Sequence, residues 1–248
     1  MASQSLHGTV AVTQPRNVWP SNPLAVLWGT MVGKKVVMAV TGIVLVGFVI
    51  AHMLGNLKIF LGAQAIDTYA VFLRTMGEPL VPYSVLLWVV RVVLLTCVAL
   101  HITAAVQLTR MSRAARPHPY ETKASLATTY AARAMRWSPL ILFLFIVYHL
   151  LHMTGGVVGF EPGQFRDLSV YHNVVAGFSV WYVSLFYIVA MAALCLHLDH
   201  GVWSLLQTLG WNNARTTSKL KTLSRVVALA VFVGFISVPV AVLAGWVR

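Results

Sequence analysis

Cys195-Leu196-His197-Leu198-Asp199-His200-Gly201-Val202-Trp203-Ser204 closes an apolar run that begins near Val174. A histidine is costly inside such a run, so an ionisable side chain there points first to function. Three other apolar runs each carry a histidine: His52, His101 and His149. Four helices with one inward imidazole apiece supply the ligands that two haems need for paired axial ligation.

The bulk properties agree with a chain embedded in lipid. The 248 residues have a mean hydropathy of +0.78, and only 10% are charged, which is the composition of a membrane protein. The net charge of +12 does not indicate nucleic acid, because the basic residues cluster in short segments beside apolar runs. Cys97 and Cys195 both lie inside apolar runs and are expected to pack as small hydrophobes. The sequence has no CxxCH, which excludes covalent haem attachment, and no cysteine cluster for an iron–sulfur centre. The first residues lack a basic segment followed by an apolar one, so no cleavable signal peptide is expected.

Hydropathy predicts an irregular N-terminal arm over residues 1–26, containing Pro15, Pro20 and Pro23, and one domain over residues 27–248. That domain is expected to be an all-α membrane protein, a five-transmembrane-helix bundle holding two b-type haems. The spans run from about Val36 to Leu54, Tyr83 to Leu108, Ser138 to Val158, Val174 to Leu198 and Val226 to Val247. Each has the ~20 residues needed to cross ~30 Å of hydrocarbon. Five spans place the termini on opposite sides.

Charge sets the orientation. Arg16, Lys34 and Lys35 precede the first span. Arg110, Arg113, Arg116, Lys123, Arg133 and Arg136 separate the second and third, and Arg215, Lys219, Lys221 and Arg225 separate the fourth and fifth. All fall on one side, which the positive-inside rule assigns to the cytoplasm. The opposite loops set Lys58, Arg74 and Arg166 against Asp67, Glu78, Glu161 and Asp167.

With ~1.5 Å of rise per residue, orientation gives each histidine a depth. His52 and His149 share the outer half, and His101 and His197 share the inner half. The ruler carries His197 to the inner interface, so its helix must tilt or begin outside the bilayer. Gly42, Gly47, Ala104 and Ala105 offer room for a flat macrocycle, or equally for close helix packing. His152 follows His149 by three residues and His200 follows His197 by three, so each pair shares a helix face and only one member need bind iron. Arg91, the only basic residue well inside a span, is expected to face the bundle interior and meet an outer-haem propionate.

Ala51-His52-Met53-Leu54-Gly55-Asn56, Leu100-His101-Ile102-Thr103, Tyr148-His149-Leu150-Leu151, and His197 followed by Gly201 and Trp203 together carry a resemblance. The chain resembles the single-chain, di-haem cytochrome b membrane anchor of bacterial succinate:quinone oxidoreductases, the succinate dehydrogenases and fumarate reductases. The resemblance covers nearly all of the chain beyond about Leu24. Its register favours His149 over His152 and His197 over His200 as ligands. It implies a subunit of the bacterial cytoplasmic membrane with a cytoplasmic N-terminus and no succinate site of its own. The implied partners are a flavoprotein with covalent FAD and an iron–sulfur subunit, docked on the cytoplasmic face. Electrons would pass through the inner haem and then the outer haem to a quinone, typically menaquinone in this class. Some members carry an acidic residue in the fourth span for proton movement. Here the neighbouring positions are Ala193 and Cys195, leaving Glu78 and Asp67 in the outer loop as acidic candidates. Alternatives are the cytochrome b subunit of a hydrogenase or formate dehydrogenase, and a proton-coupled transporter with a histidine relay. The transporter predicts more carboxylates within spans than the lone Asp199 at an edge.

Overall fold

The computed structural model describes residues 22–115 and 133–248. Arg116, Lys123 and most of the expected N-terminal arm lie outside the described residues. Among the described residues there is no strand. Helix α1 is Pro23–Gly29. Helix α2, Met31–Asn56, runs on into a 3-10 turn, Leu57–Leu61. Then come α3, Ala63–Thr75, and α4, Val85–Ala114. Helix α5, Ser138–His149, continues as a π-helical turn, Leu150–Thr154. The chain closes with α6, Val170–Ser179, α7, Trp181–Thr208, and α8, Thr217–Leu243.

Four of these stretches are long and apolar enough to cross a membrane: Met31–Leu61, Val85–Ala114, Trp181–Thr208 and Thr217–Leu243. Each spans ~40 Å at ~1.5 Å per residue, against ~30 Å of hydrocarbon. The third expected span is shorter. Its 12 α-helical residues and five π-helical ones are apolar but cover only ~25 Å. The chain is thus all-helical, with four candidate membrane-spanning helices and one short apolar helix among its described residues.

Two boundaries differ from the sequence expectation. The arm was to stay irregular up to Val26, but Pro23 opens a helix, where its missing N–H costs nothing. The run from Val174 to Leu198 was to be one span, but the backbone turns at Val180 (φ −80°, ψ 106°) and divides it into α6 and α7. Ser184 Oγ closes the corner by donating to the Phe178 carbonyl at 2.6 Å. Hydropathy misses this corner because both arms are equally apolar. Helix α7 begins later than expected and ends at Thr208, which places His197 eleven residues before its last residue.

Backbone polar groups in apolar surroundings must be satisfied within the segment, and helices do this. The hydroxyls follow suit: Thr41, Thr96, Thr103 and Thr109 each donate to the carbonyl four residues earlier. Helix α7 packs most extensively on α8, and α2 on α4, with α5 against α7 and α2 bridging to both α7 and α8. Fully buried alanines (Ala104, Ala190 and Ala228) let the helices approach closely. Ala104 is the only buried residue of α4, so the Val, Leu and Trp side chains of that helix point outward, as hydrocarbon surroundings favour.

Helices α3 and α6 pack together across the chain ends that join the longer helices. Asp67 on α3 accepts the Tyr171 N–H at 2.9 Å, in the first turn of α6. A carboxylate at that position satisfies an otherwise orphaned amide and favours the helix dipole. Asp67→Leu is therefore expected to cost on the order of 1 kcal/mol, while Asp67→Asn keeps an acceptor and most of the stability. Thermal unfolding of the detergent-solubilised variants checks this, and equal losses in the two would remove the capping role.

Candidate functional site

The register of α2 against α4 is written in one side-chain bond. Thr41 Oγ1 lies 3.1 Å from His101 Nδ1 and donates its own hydrogen to the Val37 carbonyl at 2.8 Å. With its hydrogen on Val37, the hydroxyl accepts from the imidazole, an arrangement that puts the His101 proton on Nδ1 and leaves Nε2 with a free lone pair. Across the bundle the His101 and His197 rings face each other with centroids 6.4 Å apart, tilted by 60°. The Nδ1 of His197 is buried without a partner among the described residues.

The second pair repeats the arrangement. His52 on α2 and His149 at the end of α5 have ring centroids 5.8 Å apart, at 75°. Phe48 stacks on His52 at 5.3 Å, and Phe145 on His149 at 5.7 Å. His52 lies eleven residues past Thr41, Arg91 ten before His101, and Tyr187 ten before His197. Each interval is ~15 Å of helix, so three helices return the same two layers. Tyr187 Oη lies 3.2 Å from His149 Nδ1, which ties α7 into the His52 layer.

The four sequence-predicted histidines are thus brought together in the two expected pairs. A metal–imidazole bond is about 2.0 Å and the ring centroid lies ~1.2 Å behind its nitrogen, so two imidazoles trans on one metal put their centroids about 6.4 Å apart. The 6.4 Å of the His101–His197 pair matches that figure, and the 5.8 Å of the His52–His149 pair falls short of it. Among the described residues no three His, Cys, Asp or Glu side chains converge on one point. Each layer instead offers two imidazoles, a donor set that suits a metal whose other positions a macrocycle fills. A Cβ on Gly47 or Gly201 would meet nothing within 4 Å, and one on Gly42 only His101 Cε1 at 3.7 Å. Ala104, also expected to make room, is fully buried instead.

Arg91 lies at the level of the His52 pair but meets no carboxylate among the described residues. Its guanidinium rests 4.8 Å from the centroid of Trp88, whose ring is largely exposed. His152 is fully buried, with Nδ1 2.9 Å from the same Tyr187 hydroxyl and Nε2 unpartnered. His200 is half-buried one turn past His197. Of the acidic candidates, Asp67 is engaged as a helix cap and Glu78 is exposed. Glu161 instead lines a cleft of about 310 Å³ with Gln164, Ser179, Tyr182 and Phe160. Phe160 packs on His152 at 4.7 Å, so the cleft adjoins the His52 layer.

Sequence reasoning missed Thr41 and Tyr187. A hydroxyl inside an apolar run was the available signal, but which imidazole it meets depends on helix register. No protein-family model, characterised protein or solved structure matches the chain.

Thr41→Val leaves the His101 N–H without its acceptor and is expected to cost on the order of 1 kcal/mol, whereas Thr41→Ser retains the bond. Unfolding midpoints of the two variants in detergent decide this. Similar values would show that the hydroxyl does not matter.

Proposed function

We propose that this chain is the di-haem cytochrome b membrane anchor of a succinate:quinone oxidoreductase. The observation that carries the reading is two facing imidazoles in each of two layers, drawn from four different helices and separated by ~15 Å along the bundle. When bound, each haem supplies a one-electron ferric/ferrous couple. His101 and His197 would hold one haem, and His52 and His149 the other. Thr41 accepts from His101 in the tautomer that ligation needs. The aromatic rings of Phe48, Phe145 and Phe235 around the His52 pair exclude water and lower the local dielectric.

The end nearer His101 and His197 carries Arg110, Arg113, Arg133, Arg136, Arg215, Lys219 and Lys221, with exposed Trp137 and Trp211. Basic residues mixed with exposed tryptophans suit a protein interface and, by the positive-inside rule, a cytoplasmic one. There the flavoprotein with its FAD and the iron–sulfur subunit would dock. A quinone, menaquinone being typical of this class, would exchange electrons at the opposite end. The cleft beside Phe160 offers it a carboxylate (Glu161), an amide (Gln164) and hydroxyls (Ser179, Tyr182). Glu161 takes the acidic role there in place of Asp67 and Glu78.

The test is a dithionite-reduced minus oxidised spectrum of the purified chain with haem quantified, followed by redox titration. About two b-type haems per chain are expected, one for each imidazole pair. His52→Ala and His149→Ala should lose the same haem, and His101→Ala and His197→Ala the other. A haem-free wild-type chain overturns the reading, and loss of one and the same haem from His52→Ala and His101→Ala overturns the pairing.

Arg91 meets no carboxylate among the described residues, and at the level of the His52 pair haem propionates would compensate it. Its positive charge favours the reduced iron. Arg91→Leu should therefore lower the midpoint potential of the haem lost in His52→Ala and leave the other nearly unchanged. A shift confined to the His101 haem would show that Arg91 acts at the wrong layer.

A further inference from the structure

We propose that Tyr187 is a positioning residue that sets which nitrogen of His149 is free to bind metal, with His152 as the acceptor that makes this setting possible. The proposal rests on the reading of His149 as an axial ligand.

The geometry is a three-member chain. The single hydroxyl of Tyr187 lies 3.2 Å from His149 Nδ1 and 2.9 Å from His152 Nδ1. The π-helical turn that follows His149 carries His152, so both imidazoles reach the same oxygen from one strand of backbone. A neutral imidazole has one N–H and one lone pair, and a phenol has one hydrogen to donate. Two directions satisfy both contacts and also place the phenol's own hydrogen on an acceptor. In the first, His152 donates to Tyr187 and Tyr187 donates to His149, whose proton then sits on Nε2 and blocks ligation. In the second, His149 donates to Tyr187 and Tyr187 donates to His152, and the Nε2 lone pair of His149 is free.

The second direction leaves His152 with its proton on Nε2. That nitrogen is fully buried and has no acceptor among the described residues. It lies against the backbone of Gly159 and Gly177, where a Cβ would come within 2.8 and 2.7 Å of it. No solvent reaches it there, so the N–H is a buried donor without a partner and this direction is the costlier one when no metal is bound. Ligation at His149 selects it nonetheless, because only then does Nε2 carry a lone pair. The His101 layer is built differently. Thr41 has the Val37 carbonyl as acceptor for its hydrogen, so the ligating tautomer of His101 leaves no buried donor unpaired at this contact. The tautomer of His149 is instead set by its ligand through Tyr187.

An imidazole N–H that donates to an oxygen gives the metal-bound ring more anionic character and stabilises the ferric state. Removing the acceptor should raise the potential. Redox titration and low-spin electron paramagnetic resonance of the purified full chain test this. Tyr187→Phe should shift upward the midpoint potential of the haem lost in His149→Ala, alter its low-spin signal, and leave the haem lost in His101→Ala unmoved. His152→Leu takes away the acceptor for the Tyr187 proton and should reduce retention of the same haem. His152→Asn places a carbonyl oxygen near the position of Nδ1 and should recover it. If Tyr187→Phe does not assemble, the His152→Leu and His152→Asn pair decides. Unchanged or equally shifted potentials in Tyr187→Phe, or equal haem retention in the two His152 variants, would overturn the proposal. A haem-free wild-type chain would overturn the functional reading and this proposal with it. A normal wild-type spectrum with insensitive variants would overturn this proposal alone.

Discussion

An imidazole among apolar helices must find a polar partner, and that requirement sets the register of this bundle. The facing surfaces of α2, α4, α7 and α8 are built mostly from Val, Leu, Ala and Gly, side chains that slide past one another at little cost. The Thr41–His101 bond stops α2 from sliding on α4, and the Tyr187 contacts stop α7 from sliding on α5 and its π-helical turn. Interhelical hydrogen bonds in such surroundings contribute only about 0.6 kcal/mol on average. Stability therefore comes from packing, through residues such as Ala190, Ala228 and Val231, while the hydroxyl–imidazole bonds select one register among many of similar energy.

Once the register is fixed, the two imidazole layers follow without further design. A ~15 Å step along α2, α4 and α7 carries each helix from one layer to the other. The layers lie one above the other along the bundle. They differ in their supporting hydroxyls. A threonine tied to its own helix holds His101, and a tyrosine shared between two imidazoles holds His149. The same fold thus gives two chemically similar imidazole pairs different surroundings.

The end of the bundle beside the His52 layer is finished by α3, α6 and the loop that joins α5 to α6. Asn173 bonds both the N–H and the carbonyl of Arg166, and Asp67 holds the start of α6, so this cap is tied together by side chains from distant parts of the sequence. Fixing the cap in this way shapes the cleft that holds Glu161. Of the carboxylates in this region, Asp67 is used for structure and Glu161 is exposed at the cleft.

The sequence alone determined the all-helical, apolar character of the chain, the clustering of basic residues and the placing of one histidine in each of four apolar runs, because hydropathy and charge are properties of residues summed along the chain. Rise per residue was enough to sort His52 with His149 and His101 with His197. The corner at Val180 was not legible, since apolar residues lie on both sides of it and a turn closed by the Ser184 hydroxyl leaves no hydropathy signal. With it went the position of His197 within its helix. Nor could the sequence show that Thr41 meets His101, that Tyr187 bridges His149 and His152, or that Asp67 caps a helix about a hundred residues away. Those contacts depend on how helices rotate and slide against one another, and only tertiary packing decides it.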